Sequence, residues 1–372
     1  MSTAYEYLST PGRHGDLQLV QAFTPRLEVI QGIDPALRSG VEYNTIDEHV
    51  DDDGVMIRRV SFFDISDQSP TRLAVRDRIA GYVQKVSLHP EWEGPRVEIT
   101  GAGNKELICN PVAAEMYASM PAMTSWRTEL VPGAVALYPL QYPEERYLPN
   151  GVEIDDLTRA MFTDSLDAIG IRTRAKVMSH VAAGYINEKE TTNWTSLACG
   201  AAVPVLNAIQ DNSEMINGIN LKLVDFDPIA LEFASDLAEN RGLIEGEDFE
   251  LMNRNLLKEL IATDRLVKEL GEESMELVDA LGIFEYFSEK YSAKFLANAY
   301  KLVKPDGVLV AANMLDTHPE IHFNQRVIGW PTIYPRSIER LKSTIKEAGI
   351  DLENVSMTIP SDSIYAVFEI KK

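Results

Sequence analysis

The stretch Thr195–Val205, TSLACGAAVPV, decides the fold. Its apolar run breaks at five small residues, Ala198, Cys199, Gly200, Ala201 and Ala202, and then turns helical. That pattern reads as a strand, a tight turn and a helix N-terminus. Further on, in LKLVDFDPIAL (221–231), a second apolar run closes on Asp225. A carboxylate at such a strand end can accept hydrogen bonds from both hydroxyls of a ribose, the logic of dinucleotide folds. The two features together point to a bound nucleoside. Ala-Gly turns between strand and helix also serve purely as packing devices, and that reading stands beside the first.

What the turn lacks narrows the nucleoside. The dinucleotide fingerprint needs glycine at three positions so that backbone can approach a pyrophosphate. The corresponding run here is Ala198, Gly200 and Val203, and a branched Val in third place argues against NAD or FAD. S-adenosylmethionine carries no phosphate, so a turn of one Gly and several Ala suffices to pass beneath its methionine and ribose portions.

The rest of the carboxyl-terminal two-thirds alternates strand and helix. Strands are expected at about 194–199, 219–225 and 248–252, then within ESMELVDALGIF (273–284) and GVLVAANM (307–314). Helices are expected at 203–211, 228–241, 255–270, 288–303 and 337–348, the second opened by Pro228 and the last closed by Gly349. Such alternation implies an α/β fold with a mostly parallel, doubly wound sheet. Two final β-rich runs, ENVSMTI (353–359) and SIYAVFEI (363–370), flank PSD. A polar link that short predicts an antiparallel hairpin, which makes seven strands in all.

The order of elements, the turn LACGAA, the ribose-type Asp225, the KPDG turn (304–307) ahead of a strand and the terminal hairpin together resemble class I S-adenosylmethionine-dependent methyltransferases over about residues 155–372. Within that superfamily the chain is most similar to the bacterial group that makes 3-hydroxypalmitic acid methyl ester. The residues carrying this narrower likeness are SLACGAA, VDFDPIAL, ALGIFEYF, Asn313 and WPTIYPRS. The resemblance implies a Rossmann-like sheet and S-adenosyl-L-methionine as cofactor. The chain departs from the family in having Ser196 where an acidic residue usually ends the first strand, and Ala198 and Ala202 where glycines are common.

The chain of 372 residues suits two domains. We read residues 1–150 as an α+β accessory domain and 151–372 as the cofactor-binding domain, with cap helices over 155–190. In the first part GVMIRRVSFFDIS (54–66), AGYVQKVSL (80–88), PRVEITG (95–101) and KELICN (105–110) have β character, whereas NPVAAEMYASM (110–120) reads as a short helix. LYPLQYPEERYLPNG (137–151) reads as the linker. In the cap, Ile171, Ala175, Met178 and Ala182 share one helical face. Arg172 and Arg174 are either solvated or within reach of a ligand carboxylate.

Charge and cysteines exclude other classes. With 35 Lys and Arg against 57 Asp and Glu, and no basic stripe, nucleic acid is disfavoured as partner. The acidity reads as a soluble surface. Cys109 and Cys199 form neither a disulfide framework nor a metal spacing. The start MSTAYEYLSTPGRHGD (1–16) has neither a positive n-region nor an apolar core, and no run is long enough to insert in a membrane. A cytoplasmic enzyme with a small-molecule methyl acceptor is the expectation.

Methyl transfer is a displacement at carbon, accelerated largely by alignment and exclusion of water, so few catalytic side chains need stand out. A carboxylate acceptor needs no base; a phenol, alcohol or amine would use Tyr286, His318 or His322. The two histidines lie four apart just beyond Asn313, where open α/β sheets bind ligands. Their spacing also suits a metal pair, but without an intervening Glu in an HExxH pattern or a nearby Cys the expectation is no metal. By resemblance, Ala198, Cys199, Gly200 and Ala201 line the methionine portion and Asp225 the ribose. Phe226 either meets the adenine face or is simply core, and Asn253 or Met252 meets the adenine edge. Asp279, Gly282 and Tyr286 border the reaction site. Asp227 is either a ligand or the N-cap of the next helix, and Asp279 is either functional or at an exposed strand end. Asn313, Trp330, Tyr334 and Arg336 form an acceptor wall, with Arg336 or an N-terminal arginine taking a carboxylate; the alternative is a packed aromatic corner with Arg336 in solvent. A non-catalytic S-adenosylmethionine-binding regulatory protein is the rival from another class, and a nucleotide-dependent oxidoreductase is disfavoured by the turn.

Overall fold

The computed structural model describes residues 43–62, 70–101, 105–186, 190–213 and 218–372; the stretches 1–16 and 63–66 lie outside them. The chain divides into two compact units. One holds the described residues of 65–171 with 318–332, and the other those of 38–64, 172–317 and 333–372.

The second unit is built on one sheet. Its strands are β1 (Tyr43–Val50), β2 (Met56–Phe62), β5 (Thr192–Leu197), β6 (Ile219–Asp225), β7 (Phe249–Asn253), β8 (Met275–Ala280), β9 (Val303–Met314), β10 (Val355–Pro360) and β11 (Tyr365–Lys371). They lie in the order β1-β2-β10-β11-β9-β8-β5-β6-β7. From β9 to β7 all neighbours run parallel, whereas β11 runs antiparallel to both β9 and β10. The central strands are buried nearly throughout, β8 as MELVDA and β9 as GVLVAANM. Runs without alternation are what a sheet covered on both faces requires. From β5 the order runs outward through β6 to β7, and from β8 it runs the other way to β9. The gap between β5 and β8 is thus a topological switch point, where open α/β sheets bind ligands beyond the carboxyl ends of their strands.

The sheet has nine strands rather than the seven expected. β2 buries Ile57, Val60 and Phe62, so it needs a sheet to extend. It runs parallel to β10, Met56 to Val60 opposite Ser356 to Pro360. β1 then forms an outer edge that is mostly exposed, with Asp47, Glu48 and His49 and a register irregularity between Thr45 and Asp47. Charge and irregularity both deter further edge pairing.

A buried lysine fixes this addition. Lys342, on the helix Ile338–Glu347, meets Asp51 at 2.9 Å, Asp53 at 2.8 Å and Glu339 at 2.9 Å. Asp51 and Asp53 sit in the turn joining β1 to β2, where Asp51 Oδ1 also accepts the Val55 N–H.

In the first unit the helix Pro70–Ser87 absorbs AGYVQKVSL, which its β-branched residues suggest as a strand. Its buried positions Val75, Ile79, Tyr82 and Val86 recur at spacings of four, three and four. Helical period over a long run overrides local β propensity. The hairpin of β3 (Arg96–Ile99) and β4 (Lys105–Ile108) follows, then the helix Pro111–Ser119, capped by Asn110. The Pro- and Tyr-rich stretch 137–151 is no exposed linker: Leu140, Glu144, Glu145 and Leu148 are buried. The Arg159 guanidinium donates to the carbonyls of Pro143 and Glu145. The helices of the 155–190 stretch run Asp156–Asp164 and Leu166–Ala183, the second crossing the division between the units after Ile171, and Ile171, Ala175, Met178 and Ala182 are all buried.

Without the cation the three carboxylates, which are partly open to solvent, are served by water and repel one another only weakly. Lys342→Met is expected to destabilise the chain modestly, read as a small downward shift in the urea unfolding midpoint that shrinks at high salt.

Candidate functional site

The turn after β5 is held in an unusual backbone. Ala198, Gly200 and Ala202 have φ of 53°, 56° and 56°, the left-handed region that favours glycine. The turn is anchored to β6: the Cys199 N–H donates to the Val224 carbonyl (3.1 Å), and the Gly200 N–H to Asp225 Oδ2 (2.9 Å). Pro204 lies in the first turn of the helix Val203–Asp211.

Asp225, 4% exposed, closes β6. Its Oδ1 accepts the Asp227 N–H at 3.0 Å, and burial pushes its carboxyl up to about 6. Each oxygen thus takes one backbone donor, leaving acceptor capacity for two hydroxyls. The turn fits a phosphate poorly. Its central N–H is already given to Asp225, whose charge would repel a second anion. The side chain of Asp227 accepts the Ile229 N–H, which makes it the N-cap of the helix Pro228–Glu239. Asn253 is exposed at the end of β7, and its amide donates to the Phe226 carbonyl at 2.9 Å, bracing the half-buried Phe226 from the main chain. The Cys199 thiol is pushed well up by burial and by the carboxylates of Asp225 and Asp279, so it stays protonated and unreactive.

Asp279 lies inside the sheet, not at an exposed strand end. It pairs in register with Ser196 of β5. Its oxygens accept from Trp194 Nε1 (2.7 Å) and Ser196 Oγ (2.9 Å). Trp194 and Ser196, two apart, point to one face of the strand. Burial pushes the carboxyl up to about 7. In the sequence Ser196 is only a departure from the family pattern; that Asp279 answers it is hidden there, because strand register is a tertiary property.

After β8, Gly282 leads into the short turn Phe284–Tyr286. Tyr286 is half-buried. Glu285, inside the ALGIFEYF run but not among the site residues the sequence singles out, is 4% exposed and pairs with Arg174 at 3.2 Å. Arg174 is buried rather than solvated, as is Arg172.

The expected acceptor wall divides. Arg336 is 1% exposed, its guanidinium over the Phe284 ring. It donates to Asn313 Oδ1 (2.5 Å), Ser292 Oγ (3.0 Å) and the carbonyls of Phe284 and Phe287. It is therefore neither in solvent nor offered to a substrate carboxylate, because carbonyls pack around it. Asn313 is fully buried beside it. Tyr334 is 39% exposed and joins the region through its N–H, which donates to the Glu285 carbonyl at 2.6 Å.

His318, His322 and Trp330 fall in the first unit. His318 is buried and its Nδ1 accepts the Glu320 N–H at 3.2 Å; burial lowers it to about 4, so it is neutral, with its proton on Nε2. His322 is exposed, so the two do not face a common partner as a pair would. Among the described residues no group of three or more His, Cys, Asp or Glu could hold a metal ion. Trp330 stacks on Trp126 at 5.9 Å beside a small cavity of ≈ 40 Å³, lined also by Phe162, Met161 and Asp167.

No protein-family model and no curated protein matches the chain. Among solved structures, a possible exported protein from Bordetella parapertussis has a TM-score of 0.55 at 15% identity, over 83% of this chain and 99% of that one. An O-methyltransferase family protein from Burkholderia thailandensis has a TM-score of 0.41 at 18% identity, over 58% and 60% of the two chains. The S-adenosylmethionine-dependent methyltransferase SibL, in its apo form, has 0.42 at 15%, over 81% and 96%. The first of these likenesses shows the fold. Among the described residues no helix is long and apolar enough to cross a membrane.

The protonation of Asp279 couples stability to pH. Its unfolded carboxyl ionises near 3.8 and the folded one near 7, so the folded state holds the extra proton between these values. The group's contribution to stability is greatest below pH 4 and is lost as pH rises through 7. Asp279→Asn removes the charge: the amide oxygen serves Trp194, and the amide N–H donates to the Ser196 hydroxyl, which can turn to accept. Its stability relative to the parent should grow across that window, by roughly 1–3 kcal/mol at pH 8, in melts run from pH 4.5 to 8. Ala202→Gly should relieve left-handed strain but lose a buried methyl group and loosen the unfolded chain, so its stability should stay within about 0.5 kcal/mol of the parent by chemical denaturation.

Proposed function

We propose that the chain is an S-adenosylmethionine-dependent methyltransferase acting on a small molecule with a carboxylate or hydroxyl acceptor. The observation that carries this reading is the crevice at the switch point. It pairs a left-handed small-residue turn with a buried Asp225, whose bond to Gly200 takes the turn's central donor away from a pyrophosphate. The likeness to class I enzymes in SLACGAA, VDFDPIAL and ALGIFEYF supports the same cofactor.

Ala198 to Ala201 would pass beneath the methionine portion. Asp225 would take the ribose hydroxyls, Phe226 the adenine face, and Asn253 the rim. When bound, the cofactor supplies a methyl carbon activated by sulfonium. The chain's part is to align the acceptor and exclude water. For a protic acceptor, Tyr286 stands on the β8 side of the crevice as a candidate to hold the departing proton. The finer suggestion, a fatty-acid-like carboxylate, rests on the sequence likeness alone, and the burial of Arg336 leaves an N-terminal arginine as the candidate for its charge.

Calorimetric titration tests the reading. S-adenosylmethionine and S-adenosylhomocysteine should both bind and NAD should not; binding of NAD alone would overturn the proposal. Asp225→Ala, verified as folded by circular dichroism, should weaken both adenosyl ligands by about 1–3 kcal/mol.

A further inference from the structure

We propose that the buried Arg174 and Glu285 pair binds the α-amino-acid end of the ligand in the crevice, Glu285 accepting from its ammonium and Arg174 donating to its carboxylate. The inference rests on the cofactor reading above, since S-adenosylmethionine carries such an end.

Position comes first. The turn Ala198 to Ala202 follows β5, and Gly282 to Tyr286 follows β8, so the two segments flank the switch point. Glu285 is held there by its own backbone, its carbonyl accepting the Tyr334 N–H at 2.6 Å. Arg174 reaches the same segment from the helix Leu166–Ala183. Its guanidinium lies 4.4 Å from the centre of the Tyr365 ring, and its Nη2 stands 3.4 Å from where a Cβ on Gly282 would be. A Cβ on residue 282 would thus be in van der Waals contact with the guanidinium.

Satisfaction comes second. Glu285 Oε1 accepts from Arg174 Nη1 at 3.2 Å, while Oε2 is buried with no hydrogen-bond partner among the described residues. Burial pushes the Glu285 carboxyl up and Arg174 pulls it back. Leaving a buried carboxylate oxygen unserved costs stability, and a ligand that donates to it would recover the loss. An ammonium brings both the donor and the compensating charge, where a hydroxyl brings only the donor. The opposite charges of Arg174 and Glu285 lie side by side, as do those of an α-amino acid, joined through one carbon. A zwitterion can therefore answer both at once.

The probes are S-adenosylhomocysteine and 5′-methylthioadenosine, a thioether nucleoside without the amino-acid end, titrated calorimetrically into the full chain. Glu285→Gln keeps an acceptor for Arg174 and removes the charge. It should weaken S-adenosylhomocysteine by about tenfold or more and leave 5′-methylthioadenosine unchanged. Should Glu285→Gln fail to fold, Arg174→Lys, which keeps the charge but loses the planar fork, is expected to discriminate in the same direction. Equal weakening of both probes, or unchanged binding of S-adenosylhomocysteine, overturns the inference and leaves the cofactor reading intact. Failure of the unmodified chain to bind S-adenosylhomocysteine overturns both.

Discussion

The carboxylate of Asp225 is the constraint on which the crevice depends. One oxygen holds the turn after β5 through Gly200, the other holds the exit from β6 through Asp227, and the residue's main-chain carbonyl accepts the Arg254 N–H beyond β7. Three strand ends are thereby tied at one residue. A buried carboxylate is costly unless hydrogen-bonded, and here the main chain meets that cost. The consequence is chemical as well as structural. Under the proposed function, a turn whose N–H is committed to an internal anion suits a ligand without phosphate.

The alanines at Ala198 and Ala202 fit the same constraint. Glycine is required where backbone must lie against a pyrophosphate; without that approach a methyl group can be tolerated despite its left-handed strain. Ala202 is fully buried and Ala198 partly so, and burying a methyl group offsets part of the strain. The departures from the glycine-rich pattern therefore agree with the burial of Asp225 and need no loss of ligand binding to explain them.

Elements decided by local pattern were legible in the sequence. β6 at 219–225 and the helix at 203–211 lie where the apolar pattern sets them, and of the two roles the sequence leaves open to Asp227, ligand or cap, its bond to the Ile229 N–H shows the cap. What was illegible depended on partners distant in the chain. β2 reads as a strand, but nothing local says that β10 is its neighbour. Residues 80–88 look β-like until the helical spacing of Val75, Ile79, Tyr82 and Val86 is taken as a whole. The stretch 137–151 has the composition of a linker, and only the Arg159 guanidinium, capping its carbonyls, shows it as packed. In the site, Asp225 could be found from its strand end, whereas the Ser196 and Asp279 pairing needed the β5 and β8 register.

The buried charges separate structural from functional residues better than residue type does. Arg336 and Lys342 were each in a position to attract a ligand by charge, yet the chain occupies the tips of both: carbonyls, Asn313 and Ser292 meet the two terminal nitrogens of the first, and three carboxylates meet the second. Neither tip is left for a ligand. Asp279 is served only by neutral donors, so its charge is unanswered although its hydrogen bonds are made. Glu285 has its charge answered by Arg174, yet one oxygen is left without a donor. Folding alone would favour apolar replacements at such positions. Under the proposed function a ligand completes what the fold leaves unfinished at Glu285, and incomplete satisfaction then marks the candidate site better than histidines and arginines as such.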